Sequence, residues 1–402
     1  MSTSTARISF GKTFAFLIAA IAPNAGHADS AKFPVVTVPA QAGAVNGRSE
    51  NSDAFMWHVF TQTVTPAPGN PALVEFETWA SDEDTFTLKP AWPAAGAAKK
   101  LHQSLLLTVN NPHTPPALNC SPPGNPGVGG FPLTGTPAPC IAEETRRNRP
   151  QFDYIVKHDL YTQNGLLQAY GNKFKVDMPV SSVSVKADWV PAQTLVQWLP
   201  QLKNADGVKS QYYTATVVEN GQTTTYGLVS MHISSKQNPK WVWATFEHQL
   251  NPGRCDSIGC YDSFGAQKPV VPPDRSQANT QYGACAKTDA LTSEMKNANL
   301  APVWANYCLK STQVDYTSAD GTPNVLANSV IEGITANVNV ASASCIACHA
   351  YASFGPGGIP RPQAKAMISY NPNGKPIPGI LSGSQQFDFM WGVLIAPLGP
   401  RQ

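Results

Sequence analysis

The residues best equipped for chemistry are Cys345-Ile346-Ala347-Cys348-His349. Two thiols three positions apart on one helical turn can each add across a vinyl group of a haem, and the histidine that follows is then delivered to the iron as its axial ligand. The same spacing also serves a thiol redox pair or half of a zinc site. No second C-x-x-C and no His-x-x-x-His accompanies it, and the βαβ context of a thiol oxidoreductase is missing. A Gly-x-Ser-x-Gly elbow is missing as well, which removes serine-hydrolase chemistry. The expectation is one covalently attached haem c per chain, held by Cys345 and Cys348, with His349 as the proximal iron ligand.

The start of the chain agrees with that chemistry. Residues 1–28 read as a secretory signal peptide: Arg7 and Lys12 give a positive start, Phe14 to Ala22 a short apolar run, and Gly26-x-Ala28 a small-residue cleavage site. Export would bring the chain to the periplasm, the compartment where c-type haem is joined. That apolar run is too short to cross a bilayer and no later segment approaches ~18 uninterrupted apolar residues, so no integral membrane segment is expected after cleavage. Taking Arg7 and Lys12 from 28 basic residues leaves 26 against 26 acidic ones. A neutral chain without a Lys/Arg cluster is not a nucleic-acid binder. The partner expected is a periplasmic redox protein or a small-molecule substrate.

Beyond the two haem thiols, six of the eight cysteines remain, an even number in an oxidising compartment. Fifteen pairings are open to them, and their order along the chain suggests local ones: Cys120 with Cys140, Cys255 with Cys260, and Cys285 with Cys308. With 36 prolines, 30 glycines and only 13% charged residues, the chain reads as strands, turns and long loops, not a helical bundle. The fold class expected is β-rich α+β: an antiparallel sheet body with long Pro/Gly loops and a C-terminal haem-binding helical segment. The expected division is 1–28 signal, 29–284 β-rich body, and 285–402 haem-binding segment packed on that body. Only 53 residues follow His349, so much of a haem pocket has to come from upstream.

Several segments are readable one by one. Ala54 to Phe60 is almost continuously apolar, which makes His58 a core histidine. The spacing of Phe152, Ile155, Val156 and Leu160 predicts an amphipathic helix. In Ser181 to Val190 the residues Val183, Val185, Ala187 and Trp189 alternate with Ser182, Ser184, Lys186 and Asp188, which predicts a half-buried strand. Asn220-Gly221 between two alternating runs predicts a hairpin, because both turn positions need positive φ. A second turn near residue 237 leads into Trp241 to His248, so a three-strand meander is expected. A short helix is expected near Asp289 to Asn299, and Ser342 or Ser344 as the cap of the haem-motif helix.

The second axial position of the iron has four candidates. Met367 and Met390 follow the motif, and a thioether ligand suits electron transfer. His248 and His232 lie on the meander and could serve as a ligand or as a catalytic acid–base group, with His248 placed ahead of His232. A turn centred near 237 pairs His232 with Val242 and His248 with Tyr226, some ~20 Å apart, so the two would not share one iron. An open or water-bound site is the remaining alternative.

The segments VKADW (185–189), LVSMHI (228–233), WVWATFEH (241–248) and SCIACHA (344–350) together resemble a group of exported Gram-negative monohaem proteins described as cytochrome c family proteins. The resemblance covers most of residues 50–395. It departs at TQTVTP (61–66), where that family tends to have Asn-Trp-Pro after an aromatic-rich run. It implies covalent haem on Cys345 and Cys348 with His349 as axial ligand, and it implies no substrate. Two activities follow as expectations: a periplasmic electron carrier, or a haem oxidoreductase of oxidase or peroxidase type acting on a small molecule at an open distal site.

Overall fold

A computed structural model describes residues 50–97, 99, 101, 141–219, 221–256, 258–268, 270–271, 280–335, 340–358, 379 and 381–399. The expected export signal at residues 1–28, Cys120, Cys140 and Met367 lie outside the described residues. The centre is one antiparallel sheet of seven strands: β1 Ala80–Ser81, β2 Ala142–Arg147, β3 Val183–Pro191, β4 Thr214–Glu219, β5 Gln222–Ser235, β6 Val242–His248 and β7 Tyr307–Gln313. Its order is β7-β6-β5-β3-β2-β1, with β4 also on β5. The mixed, sheet-rich class expected from the sequence is what the chain forms. Among the described residues no helix is long and apolar enough to cross a membrane.

Both predicted hairpins form, yet they do not make a meander with β5 in the middle. β3 takes one edge of β5, pairing from Tyr226 to Ser235. β4 and β6 share the other edge end to end, at 222–227 and 230–235. The length of β5, 14 residues, is the reason: it has room for two partners in line. Where they meet, Leu228 N donates to Tyr213 O, Tyr307 Oη donates to Leu228 O and Asn251 Nδ2 donates to Val229 O, so the gap in the ladder is filled.

One face of the sheet is apolar. Val183, Val185, Ala187, Trp189, Met231, Ile233, Val242, Ala244 and Phe246 all lie in one buried cluster. The run around Phe55 covers it as helix α1, Glu50–Thr63, with the Trp57 and Phe60 rings 5.0 and 4.5 Å from that of Phe246. His58 falls on the outer side of α1, corrected from the core to a half-exposed position where Nδ1 meets Glu294 Oε1 at 3.0 Å. Glu294 belongs to helix α3, Asp289–Asn297, which lies inside the loop closed by the disulfide Cys285–Cys308. The amphipathic helix α2 forms at Arg149–Lys157 and buries Phe152 and Ile155. Cys255 pairs with Cys260 as their order suggested.

The opposite face is polar and nevertheless covered. Thr145, Lys186, His232, Thr245 and Ser311 form one row across five strands, and Glu143, Asp188, Ser230 and Glu247 form the next. Alternation on β3 is as read, but its polar side is buried too, so the strand is not half-buried. The cover is the segment after β7. Asn328 Nδ2 donates to Thr245 Oγ1 (3.0 Å), Ser329 N donates to Glu247 Oε1 (2.8 Å), and Ser329 Oγ also reaches that carboxylate. The boundary drawn at 284/285 therefore does not separate two bodies: residues beyond it supply β7 as well as this cover.

Candidate functional site

Helix α4, Cys345–His349, adjoins that cover: Leu326 N donates to Ala343 O, and Cys345 Sγ donates to Leu326 O at 3.4 Å. Ser344 is its cap, accepting from Ala347 N at 3.3 Å. Gln313 at the end of β7 holds the same turn from outside: its Nε2 donates to Ser344 Oγ (2.9 Å) and its Oε1 accepts from Ile346 N (3.1 Å). Ile346 is fully buried among Leu326, Trp241, Trp243, Phe354, Phe387 and Phe389. Apolar burial of one residue thus fixes the helix, and the two thiols and the imidazole are carried around it.

Cys345 and Cys348 are free thiols, whereas the other four described cysteines are paired. Burial pushes the Cys345 thiol well above the usual range, and Glu332 and Cys348 add to it. Burial likewise pushes Cys348 up to about 12. A redox-active C-x-x-C has the reverse, a depressed pKa and a populated thiolate. Among the described residues no three His, Cys, Asp or Glu side chains converge as a metal-binding group.

His349 is held at both its face and its edge. Its ring lies 4.5 Å from that of Trp243, and its Nδ1 is 2.6 Å from Phe389 O. A carbonyl can only accept, so Nδ1 carries the proton and Nε2 the lone pair. Burial lowers the imidazole pKa to about 4, against the opposing pull of the Phe389 carbonyl, and Lys186 and His232 lower it further. The tautomer of His349 is therefore fixed by the Phe389 carbonyl.

The carbonyl that fixes it belongs to a tight turn. Met390 N donates to Phe387 O (2.9 Å), and both central residues, Asp388 and Phe389, have positive φ (42° and 68°). That pattern is the type I′ turn, which normally takes Asn-Gly. A bulky residue held there costs about 1–3 kcal/mol, so the surroundings must enforce it. The Asp388 carboxylate accepts from Lys236 Nζ (2.7 Å), Trp241 Nε1 (3.3 Å) and Met178 N (2.7 Å). Trp241 itself has φ of 63°.

The structure sorts the four second-ligand candidates. Met390 directly follows the residue that grips the Nδ1 edge of His349, and its sulfur meets Ser184 Oγ at 3.5 Å. Its thioether is thus engaged by Ser184 on β3. His248 is corrected: Nε2 donates to Gln211 O (3.0 Å), Nδ1 accepts from Leu250 N (3.2 Å), and the ring stacks on Tyr212 at 3.7 Å. Burial lowers its pKa to about 3. Both nitrogens are used, and the residue lies on the far side of the sheet from His349.

His232 moves in the other direction. The β5–β6 turn runs through Trp241, so His232 pairs with Thr245 and not with Val242. An odd register shift changes faces, which brings His232 to the polar side with α4. Its Nε2 lies 3.0 Å from Glu332 Oε1, and its buried Nδ1 has no hydrogen-bond partner among the described residues. Next to it across the strands, Lys186 Nζ is 2.8 Å from Glu143 Oε2. Burial works against the charge on Lys186, but Glu143, Asp188 and Glu332 more than offset it and raise its pKa. Burial also opposes ionisation of Glu332, and His232, the Asn328 N–H and Lys186 together hold it below the usual range. Both groups are charged at neutral pH.

Lys186, Glu332, Trp243 and Phe389 were not singled out by sequence reasoning. Lys186 sat on a face taken for solvent, and Glu332 lies on a five-residue π-helical turn, Ile331–Thr335, that follows no apolar period. Comparison with family models, curated proteins and solved structures finds no match.

Proposed function

We propose that this chain is a periplasmic monohaem c-type cytochrome that passes single electrons between redox partners. Cys345 and Cys348 would hold the haem through two thioethers, and His349 Nε2 would be the proximal donor. The observation that carries the reading is the union of two unpaired neutral thiols with a histidine whose Nδ1 is committed to Phe389 O. Such a back-bonded imidazole is the donor set expected of an axial ligand. When bound, haem supplies one-electron oxidation and reduction. The chain's own part is to orient His349 between Trp243 and Phe389, and to surround the site with fixed charges from Lys186, Glu332 and Glu143.

A second reading, a haem oxidoreductase acting on a small molecule, is favoured by the His232–Glu332 pair. A histidine with one nitrogen on a carboxylate and the other unpartnered is built to hold or move a proton. The deciding experiment is the visible spectrum of the purified protein, oxidised, reduced, and reduced with carbon monoxide. A low-spin spectrum unmoved by carbon monoxide supports the carrier; a high-spin spectrum that shifts promptly supports the enzyme. Absence of covalent haem would overturn both. His232→Ala is expected to change the spectrum or the carbon monoxide response, and His248→Ala to leave both unchanged while lowering stability. A spectrum altered by His248→Ala alone would reverse that assignment.

A further inference from the structure

The backbone around the motif is strained at three touching residues, and they converge on one atom. Asp388 and Phe389 form the centre of the 387–390 turn, and Trp241 donates its indole N–H to the Asp388 carboxylate. All three are non-glycine residues at positive φ. The donors on Asp388 come from separate parts of the chain: Met178 before β3, Lys236 at the end of β5, and Trp241 before β6. Lys236 also meets Asp177 (3.1 Å) and Pro239 O (3.3 Å), so it is itself held in place. The one backbone oxygen at the end of this arrangement that meets a titratable ring is Phe389 O, 2.6 Å from His349 Nδ1.

We propose that Asp388 is a positioning residue for His349: by clamping the strained turn it sets the Phe389 carbonyl, and through it the tautomer and donor strength of the imidazole. Strain of this kind persists only where surroundings over-determine it, and its location beside a prospective ligand gives it a task. A firm Nδ1–H to carbonyl bond makes the ring a stronger donor and favours the oxidised iron; loosening the turn weakens it. The structural half of this inference needs no cofactor, and its redox half rests on the haem reading above.

The first arm uses the full-length chain produced without haem attachment. Nitrogen-15 NMR of the imidazoles should place the His349 proton on Nδ1 in the parent, and Asp388→Ala should give a tautomer mixture. A folded Asp388→Ala chain with His349 still locked on Nδ1 would overturn the proposal. Should that variant not fold, Asp388→Asn and Trp241→Phe take its place, since the first removes the negative charge facing Lys236 and turns one accepting oxygen into a donor, and the second removes the indole donor. Both are expected to give a smaller change of the same sign, and an unchanged tautomer in both would equally overturn it. The second arm uses the haem-bearing protein: Asp388→Asn should keep full covalent attachment and shift the midpoint potential upward. An unmoved potential would remove the redox half. A parent chain that takes no haem would instead remove the proposed function, leaving the tautomer arm to decide the inference alone.

Discussion

Cys345→Ala and Cys348→Ala are each expected to end two-thioether attachment, and the double variant to yield a chain from which all haem is stripped by denaturant. Each thiol supplies the sulfur of one bond, so nothing else in the chain can replace it. The structural cost of either change is small. Neither residue is in a disulfide; Cys345 donates to Leu326 O at 3.4 Å and packs against the apolar cluster around Ile346, and Cys348 meets Trp391. Loss of haem would therefore be chemical and not a by-product of unfolding, which a circular dichroism melt on the same samples checks. Haem staining on a denaturing gel with a haemochrome spectrum reads the bonds; full two-bond attachment in either single variant would refute the central claim.

Glu247→Ala is expected to destabilise the fold by about 3–5 kcal/mol, the loss typical of breaking a buried pair from one side. Its carboxylate is almost fully buried and takes Lys310 Nζ (3.2 Å), Ser329 N and Ser329 Oγ, with Asn251 Nδ2 at 3.4 Å. Lys310 is as deeply buried, so alanine at 247 leaves a cation without its partner. The same change releases the segment at Ser329 from the sheet, 16 residues before Cys345. Urea unfolding measures it, and a second substitution, Lys310→Met, should recover much of the loss. A cost below about 1 kcal/mol would mean that the pair contributes no more than a surface ion pair does.

How legible this was depended on the range of the signal. The hairpin at Asn220-Gly221, the alternation on β3, helix α2 and the Ser344 cap rest on neighbours within a few positions, and local patterns report those. His232 was paired with Val242 instead of Thr245 because the turn was centred near 237. The left-handed Trp241 extends it, and a shift of three residues exchanged the faces. Nothing in a local pattern announces a tryptophan at positive φ. The polar side of β3 looked like a solvent face, since serine, lysine and aspartate alternate there; only the return of residues 324–335 across it makes it interior.

The two strands lying end to end along β5 have a consequence for self-association. A 14-residue strand with an open edge would offer a long run of backbone donors and acceptors to another copy of the chain. Here β4 and β6 consume that run between them, and Tyr307, Tyr213 and Asn251 close the gap at Leu228 and Val229. What the sheet still presents is shorter: β1 is two residues long, β4 is six residues long with its pairing among the described residues made to β5 alone, and β7 is interrupted by an irregularity between Leu309 and Ser311. Strand addition, the usual route from a sheet to an aggregate, finds the longest strand occupied by β4 and β6 along one side and by β3 from Tyr226 to Ser235 along the other.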